Sequence, residues 1–207
     1  MVNVSGHSFD EYVAVIEALE EAPVAAYEVN ISCPNVDAGG MTMGCHVPSV
    51  EKVVSLCRAA TKRPLIVKLT PNVTDITEIA KAAEAAGADG ISLINTLLGM
   101  RVNPRTGRPL VSTVTSGFSG PAIKPVALRM VFEVCRAVKI PVVGVGGIAS
   151  ADDLLEFLSA GASAVQIGAQ NLVDPYACLR VVEELPKRME EYGIRDLKSI
   201  IGRTGNG

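Results

Sequence analysis

The stretch Glu28-Val-Asn-Ile-Ser-Cys-Pro-Asn35 decides how this chain is read. Glu28 to Ile31 reads as the end of a strand. Pro34 turns the chain out of it, because it biases Cys33 away from helix and removes a backbone donor. A thiol then stands at the carboxyl end of a strand, between the carboxamides of Asn30 and Asn35. The same arrangement recurs outward along the chain. Short apolar strands are expected at Val2 to Val4, Leu65 to Leu69, Gly90 to Ile94, Pro141 to Val145 and Ala164 to Ile167. Polar or glycine residues mark their exits: Asn3, Lys68, Asn95-Thr96, Gly146-Gly147 and Gly168.

Helical spacing fills the intervals. A capping box, Ser8-Phe-Asp-Glu11, opens a helix with Tyr12, Val15, Ile16 and Leu19 on one face. Ser49 caps a second with Val50, Val53, Val54 and Cys57 inside, and Asp75 caps a third with Ile76, Ile79, Ala80 and Ala83 inside. Pro125 opens a fourth carrying Leu128, Val131, Phe132 and Cys135, and Ser150 begins a fifth that stops at a left-handed Gly161. Asp174-Pro175 starts a long sixth with Cys178, Val181, Val182 and Leu185 inside, and a short helix follows near Asp196 to Ile200. The excursion from Leu97 to Lys124 holds Arg101, Arg105 and Arg108 among turn signals and reads as a hairpin followed by a Ser/Gly-rich segment. Connections of this length tend to be functional.

Strict β-α alternation with short apolar strands predicts a parallel sheet, buried on both faces, with helices outside. No G-x-G-x-x-G follows the first strand, which disfavours a dinucleotide-binding doubly wound sheet. Polar exits on nearly every strand favour a (β/α)8 TIM barrel, whose chemistry lies at that rim. The expected strands number about six of the eight that such a barrel needs. The expectation is therefore a single domain over 1–207, incomplete at its N-terminus by about two βα units.

Composition narrows the function. The chain has 207 residues, 48% hydrophobic and 20% charged, with a net charge of −3 and no basic run, so nucleic acid is not an expected partner. No apolar stretch approaches the roughly 20 residues of a membrane span. Five cysteines without a C-x-x-C pair and only two histidines suggest a reducing setting and no metal centre. Cys57, Cys135 and Cys178 sit in helical stripes and read as core; Cys45-His46 and His7 read as loop surface. Lys68 ends an otherwise apolar strand, and a Lys in that setting points at an anion. Gly146-Gly147 and Gly168-Ala169 suit a phosphate approached by backbone N–H groups and helix N-termini. A free thiol, with a pKa of roughly 8.5, can serve as acid or base without a large shift.

Several segments together resemble the dihydroorotate dehydrogenase family: Asn30-Ile-Ser-Cys-Pro-Asn35, Val67-Lys-Leu-Thr-Pro-Asn-Val-Thr-Asp75, Ala86-Gly-Ala-Asp-Gly90, Ile94-Asn-Thr96, Ser119-Gly-Pro-Ala-Ile-Lys-Pro125 and Gly144-Val-Gly-Gly-Ile148. The likeness runs over essentially the whole chain and is strongest to class 1B, whose FMN barrel subunit works with an FAD and iron–sulfur subunit and passes electrons to NAD. The resemblance implies FMN as cofactor and dihydroorotate, oxidised to orotate in pyrimidine biosynthesis, as substrate. It implies that Cys33 is the catalytic base. Asn30, Asn35, Asn95 and Thr96 would contact the substrate. Asn3, Asn30, Lys68, Ile94, Gly120, Gly146, Gly147, Gly168 and Ala169 would line FMN, with Lys68 offsetting charge on the reduced flavin. At Ala169 the family usually carries Thr, so one side-chain bond to phosphate is missing here. A uracil-reducing activity of the dihydropyrimidine dehydrogenase type is the competing expectation. Asn35 speaks against it, since those reductases carry His there. A fragment without catalysis is the third.

Overall fold

A computed structural model describes residues 1–32 and 43–206; Cys33 and Asn35 lie outside the described residues. Six parallel strands form one sheet: β1 (Val2–Val4), β2 (Tyr27–Asn30), β3 (Leu65–Leu69), β4 (Gly90–Leu93), β7 (Val142–Val145) and β8 (Ala164–Gln166), in the order β1-β2-β3-β4-β7-β8. Between β4 and β7 the chain makes the antiparallel pair β5 (Leu97–Gly99) and β6 (Ser116–Phe118). The hairpin is thus present, but the Ser/Gly-rich segment supplies its second strand.

The helices are α1 (Phe9–Leu19), α2 (Val47–Ala60), α3 (Ile76–Ala85), α4 (Lys124–Ala137), α5 (Ala151–Ala160), the short α6 (Gln170–Val173) and α7 (Ala177–Glu191). Each long helix packs on the next, α1 on α2 through to α5 on α7, so they form one continuous outer layer. Alternate strand residues feed the core under that layer: Tyr27 and Val29, then Leu65, Val67 and Leu69, then Ile91 and Leu93 are fully buried.

The opposite face of the sheet is not wholly apolar. It presents Glu28, Lys68, Ser92 and Gln166, which meet one another. Gln166 Nε2 donates to Glu28 Oε1 at 2.9 Å although β8 lies four ladder steps from β2. In a flat sheet that separation is about 19 Å, at about 4.8 Å per step. The sheet therefore curls back on itself, and Glu28 stands inside the curl. This is the open barrel that the alternation predicted, with one correction: the inner face mixes Ile66, Val143 and Val145 with polar residues, so the strands are wholly apolar on the helix side alone.

Local expectations were met where a cap or a glycine fixed them. Asp75 caps α3 by accepting from Thr77 N at 2.8 Å. Ser150 and Asp153 form a full capping box, and Gly161 ends α5 at φ 121°. At α1, Ser8 Oγ accepts from Glu11 N, but the Glu11 carboxylate takes the amide of His7 instead of completing a box, and Val15 is exposed. α2 begins two residues before Ser49, with His46 at the cap position and no side-chain bond there. On α4 the buried stripe is Ala127, Met130, Val131 and Val134, one position away from Leu128, Phe132 and Cys135. Cys178 is exposed, not core: α7 buries Ala177 and Val181, so Cys178 and Val182 fall just outside the contact. Gly144 carries the closest helix–sheet approach, since a Cβ there would stand 2.4 Å from Phe157 Cδ1.

Candidate active site at the strand exits

The strand exits converge through short hydrogen bonds. Asn30 leaves β2 with its carbonyl held by the Tyr12 hydroxyl at 2.8 Å. Its Oδ1 accepts from Ser32 Oγ at 2.5 Å and from Asn95 Nδ2 at 3.3 Å. Asn95 Nδ2 also donates to Ser32 Oγ at 2.5 Å, and its Oδ1 accepts from Thr96 N at 2.8 Å. Asn30, Ser32, Asn95 and Thr96 are thus one polar group, and its first two members immediately precede Cys33 in the chain. Asn72 ties it to the hairpin: its Nδ2 donates to the Thr96 carbonyl at 3.0 Å, and its Oδ1 accepts from Leu98 N at 2.9 Å. The sequence held a sign of this in the Thr70-Pro-Asn72 exit of β3, but nothing local says what Asn72 reaches.

Beside that group lies a cavity of about 240 Å³. Of the expected cofactor residues, Lys68, Ile94, Gly120, Gly146, Gly147, Gly168 and Ala169 all line it, as do Asn95 and Thr96. Asn3 and Asn30 do not: Asn3 Nδ2 donates to Glu28 Oε2 at 2.6 Å, deeper in the curl, and Asn30 reaches the cavity only through its bond from Asn95. Gly120, Gly146 and Gly147 have φ of 99°, 131° and 77°, conformations that L side chains rarely adopt. The wall here is backbone because no other residue fits. Part of the expected helix-terminus anchor after Gly146-Gly147 is already used. The amides of Ala149 and Ser150 donate to Asp153 Oδ2 at 2.8 and 2.9 Å, so they are not available to a phosphate. What remains is the glycine backbone, an ammonium and a set of carboxamides. That donor set fits a planar group bearing an anion. A Cβ added at Gly168 would meet nothing within 4 Å, so a ligand longer than the cavity can lie across that wall. A larger hollow, about 780 Å³, lies on the outer surface between α4 and α5 against Leu128, Phe132 and Leu155, and collects none of the strand-exit residues.

The described thiols divide by environment. Burial pushes Cys57 up to about 12 and Cys135 up to about 11, which removes both as nucleophiles or bases near neutral pH. Cys45 donates to the Asn72 carbonyl at 3.7 Å, at the edge of the hairpin attachment. Among the described residues no cluster of His, Cys, Asp or Glu could hold a metal. No described helix is long and apolar enough to cross a membrane.

An open parallel barrel with a glycine-walled cavity and convergent carboxamides at its carboxyl rim defines an α/β-barrel protein that takes its ligand where the strands end. The family model for dihydroorotate dehydrogenase matches residues 1–189. The chain belongs to that family. It is 52% identical, over 98% of its length, to the catalytic subunit of dihydroorotate dehydrogenase B (NAD(+)) from Alkaliphilus metalliredigens, and covers 67% of that protein. Against the catalytic subunit of the same name from Geobacillus kaustophilus it is 48% identical over 99% of its length and covers 66%. It spans about two thirds of the length of these relatives. The fold matches the crystal structure of DHODH in complex with ferulenol from Eimeria tenella, with a TM-score of 0.80 at 22% identity, over 96% of this chain and 58% of that one. That the relatives are called catalytic subunits implies a partner subunit in their assemblies.

Proposed function

We propose that this chain carries the substrate-oxidising site of a cytoplasmic dihydroorotate dehydrogenase that uses FMN and hands electrons to an FAD and iron–sulfur subunit, with NAD+ as final acceptor. The observation that carries this reading is the cavity at the strand exits. Lys68, Asn95, Thr96 and the glycine backbone of Gly120, Gly146, Gly147 and Gly168 meet there, in a chain about half identical to the named catalytic subunits. FMN, when bound, supplies the hydride acceptor for C6 of dihydroorotate.

The rest falls to the chain's own residues. Cys33 takes the C5 proton. Asn30, Asn35, Asn95 and Thr96 hold the pyrimidine ring through its amide edges, which need paired donors and acceptors of the kind a carboxamide offers. Asn30, whose side chain is tied to Asn95 of the cavity wall, would also contact the flavin. Lys68 offsets the negative charge that builds as the flavin is reduced. The glycine walls and Ile94 shape the flavin cleft, with Ala169 beside the phosphate. Asn3 acts from behind, through Glu28.

The test is anaerobic mixing of the FMN-loaded protein with dihydroorotate or with dihydrouracil, following loss of the visible flavin absorbance. Bleaching by dihydroorotate alone supports the reading. Bleaching by dihydrouracil alone overturns it in favour of a uracil-type reductase. A protein that stays colourless with added FMN removes the flavin assignment. Cys33→Ser is expected to slow flavin reduction by a hundredfold or more while FMN stays bound, the order of a lost general base. Unchanged reduction would take Cys33 out of the mechanism.

A further inference from the structure

Glu28 stands where a barrel interior usually carries apolar layers. Its side chain is 5% exposed, and donors from four other strands surround its carboxylate. Ser92 Oγ of β4 and Gln166 Nε2 of β8 donate to Oε1 at 2.8 and 2.9 Å. Asn3 Nδ2 of β1 donates to Oε2 at 2.6 Å, and Lys68 Nζ of β3 stands 3.9 Å from the same oxygen. Burial alone would raise the Glu28 carboxyl. The bonds from Gln166, Ser92 and Asn3 and the Lys68 charge bring it below its ordinary value, so it stays ionised. Three neutral donors fix the anion, and the only charged partner among the four is also a wall of the cavity.

We infer that Glu28 is a positioning residue for Lys68: the carboxylate, pinned from β1, β4 and β8, holds the ammonium at the cavity wall and sets how much positive charge a bound ligand meets there. This rests on the FMN reading of the cavity. At 3.9 Å the pair is an ion pair without a hydrogen bond, and Lys68 Nζ makes no hydrogen bond to another described residue. Its three donors are therefore free to turn toward a ligand while the charge behind it stays put. A neutral residue at 28 leaves the ammonium uncompensated. The cavity then becomes more positive, and a negatively charged reduced flavin is favoured over the oxidised one.

The test uses the FMN-loaded protein and, separately, the protein freed of flavin. With FMN bound, Glu28→Gln is expected to move the flavin midpoint potential to a more positive value and Lys68→Met to a more negative one. In the Lys68→Met background, Glu28→Gln should shift the potential by less than it does alone, because only the direct charge of the carboxylate is then lost and its hold on Lys68 is already gone. Without FMN, acetylation of Lys68 by an N-hydroxysuccinimide ester, followed by peptide mass, should run severalfold faster in Glu28→Gln, since no carboxylate then holds the amine back against the barrel interior. Equal acetylation rates, or a potential that does not move, would make Glu28 a packing residue and overturn the inference. If the unsubstituted protein does not take FMN, the flavin reading fails by itself, and the acetylation rates still decide whether Glu28 governs Lys68. Glu28→Asp keeps the charge but draws it back by one methylene. It should move both readouts in the same direction by less, and it serves if the Gln variant does not fold.

Discussion

At the scale of single residues, two glycines show how tightly this chain is set against itself. A Cβ at Gly144 would strike the Phe157 ring, and one at Gly117 would come within 2.4 Å of Thr96 Oγ1. Gly144→Ala forces a buried ring and a β7 backbone apart and should cost about 1–3 kcal/mol of stability, read from urea unfolding. Gly117→Ala acts elsewhere, because β6 lies directly over Thr96. Under the proposed function it should weaken orotate binding about tenfold, about 1.4 kcal/mol, with a small effect on stability. An equilibrium titration that shows no change would detach Thr96 from the substrate. The thiols are a further check. In the native protein a disulfide reagent should label Cys178 quickly and Cys57 only at the rate of unfolding, because one is exposed and the other buried. The sequence placed Cys57 and Cys178 alike, as apolar stripe residues. What separates them is the row that packs inward: α2 buries Cys57, whereas α7 buries Ala177 and Val181 and leaves Cys178 out.

Elements were legible to the extent that their ends carry local chemistry. α3 and α5 begin where Asp75 and Ser150 say they should, since a cap bonds within its own turn. Ser150→Ala should therefore lower stability by about 1 kcal/mol. Asp153 does more than cap. It accepts from Ala149 N and Ser150 N and pairs with Lys124 of α4 at 2.6 Å, so α4 and α5 are tied through one carboxylate. Burial alone would raise its pKa, but the bonds from Lys124 and the cap amides lower it below the ordinary 3.8. A lowered folded value means that Asp153 contributes its stability in full above the ordinary carboxylate range and loses it as pH falls through that lowered value. The unfolding midpoint should accordingly drop on acidification from about pH 5 to pH 3, and drop less in Asp153→Asn. A slope unchanged by the substitution would remove the tie. The faces of α4 and α7 were read about one position off, because a 3.6-residue period fixes a stripe's direction only to within a neighbouring row. Which row turns inward depends on the helix packed beside it.

For the whole molecule the decisive contact is Gln166 to Glu28, which joins the second strand of the sheet to the last. The curl it records leaves β1 and β8 as the outer strands among the described residues, with no ladder between them. Beyond β8, Leu172 and Val173 are 91% and 80% exposed, and Tyr176, Leu179 and Val182 are exposed on the segment that follows. Exposed apolar surface beside an open strand edge attracts other apolar groups. The 207-residue chain by itself should bind an apolar dye such as ANS while its circular dichroism remains native, and should associate with rising concentration in sedimentation. Weak dye binding by a monodisperse monomer would mean that this surface is covered.

The residues by themselves determined the alternation of strands and helices, the number of barrel strands, the polar rim and the family, because each of these is written in neighbouring residues: periodicity, caps, glycines at turns and contiguous motifs. The tertiary structure alone decided that Asn3 serves Glu28 and that Asn72 anchors the hairpin. It alone gave the barrel interior a charged centre fed from five strands. Those facts depend on contacts between residues as many as 138 positions apart, and no local pattern in a chain encodes which distant donor a buried carboxylate will find.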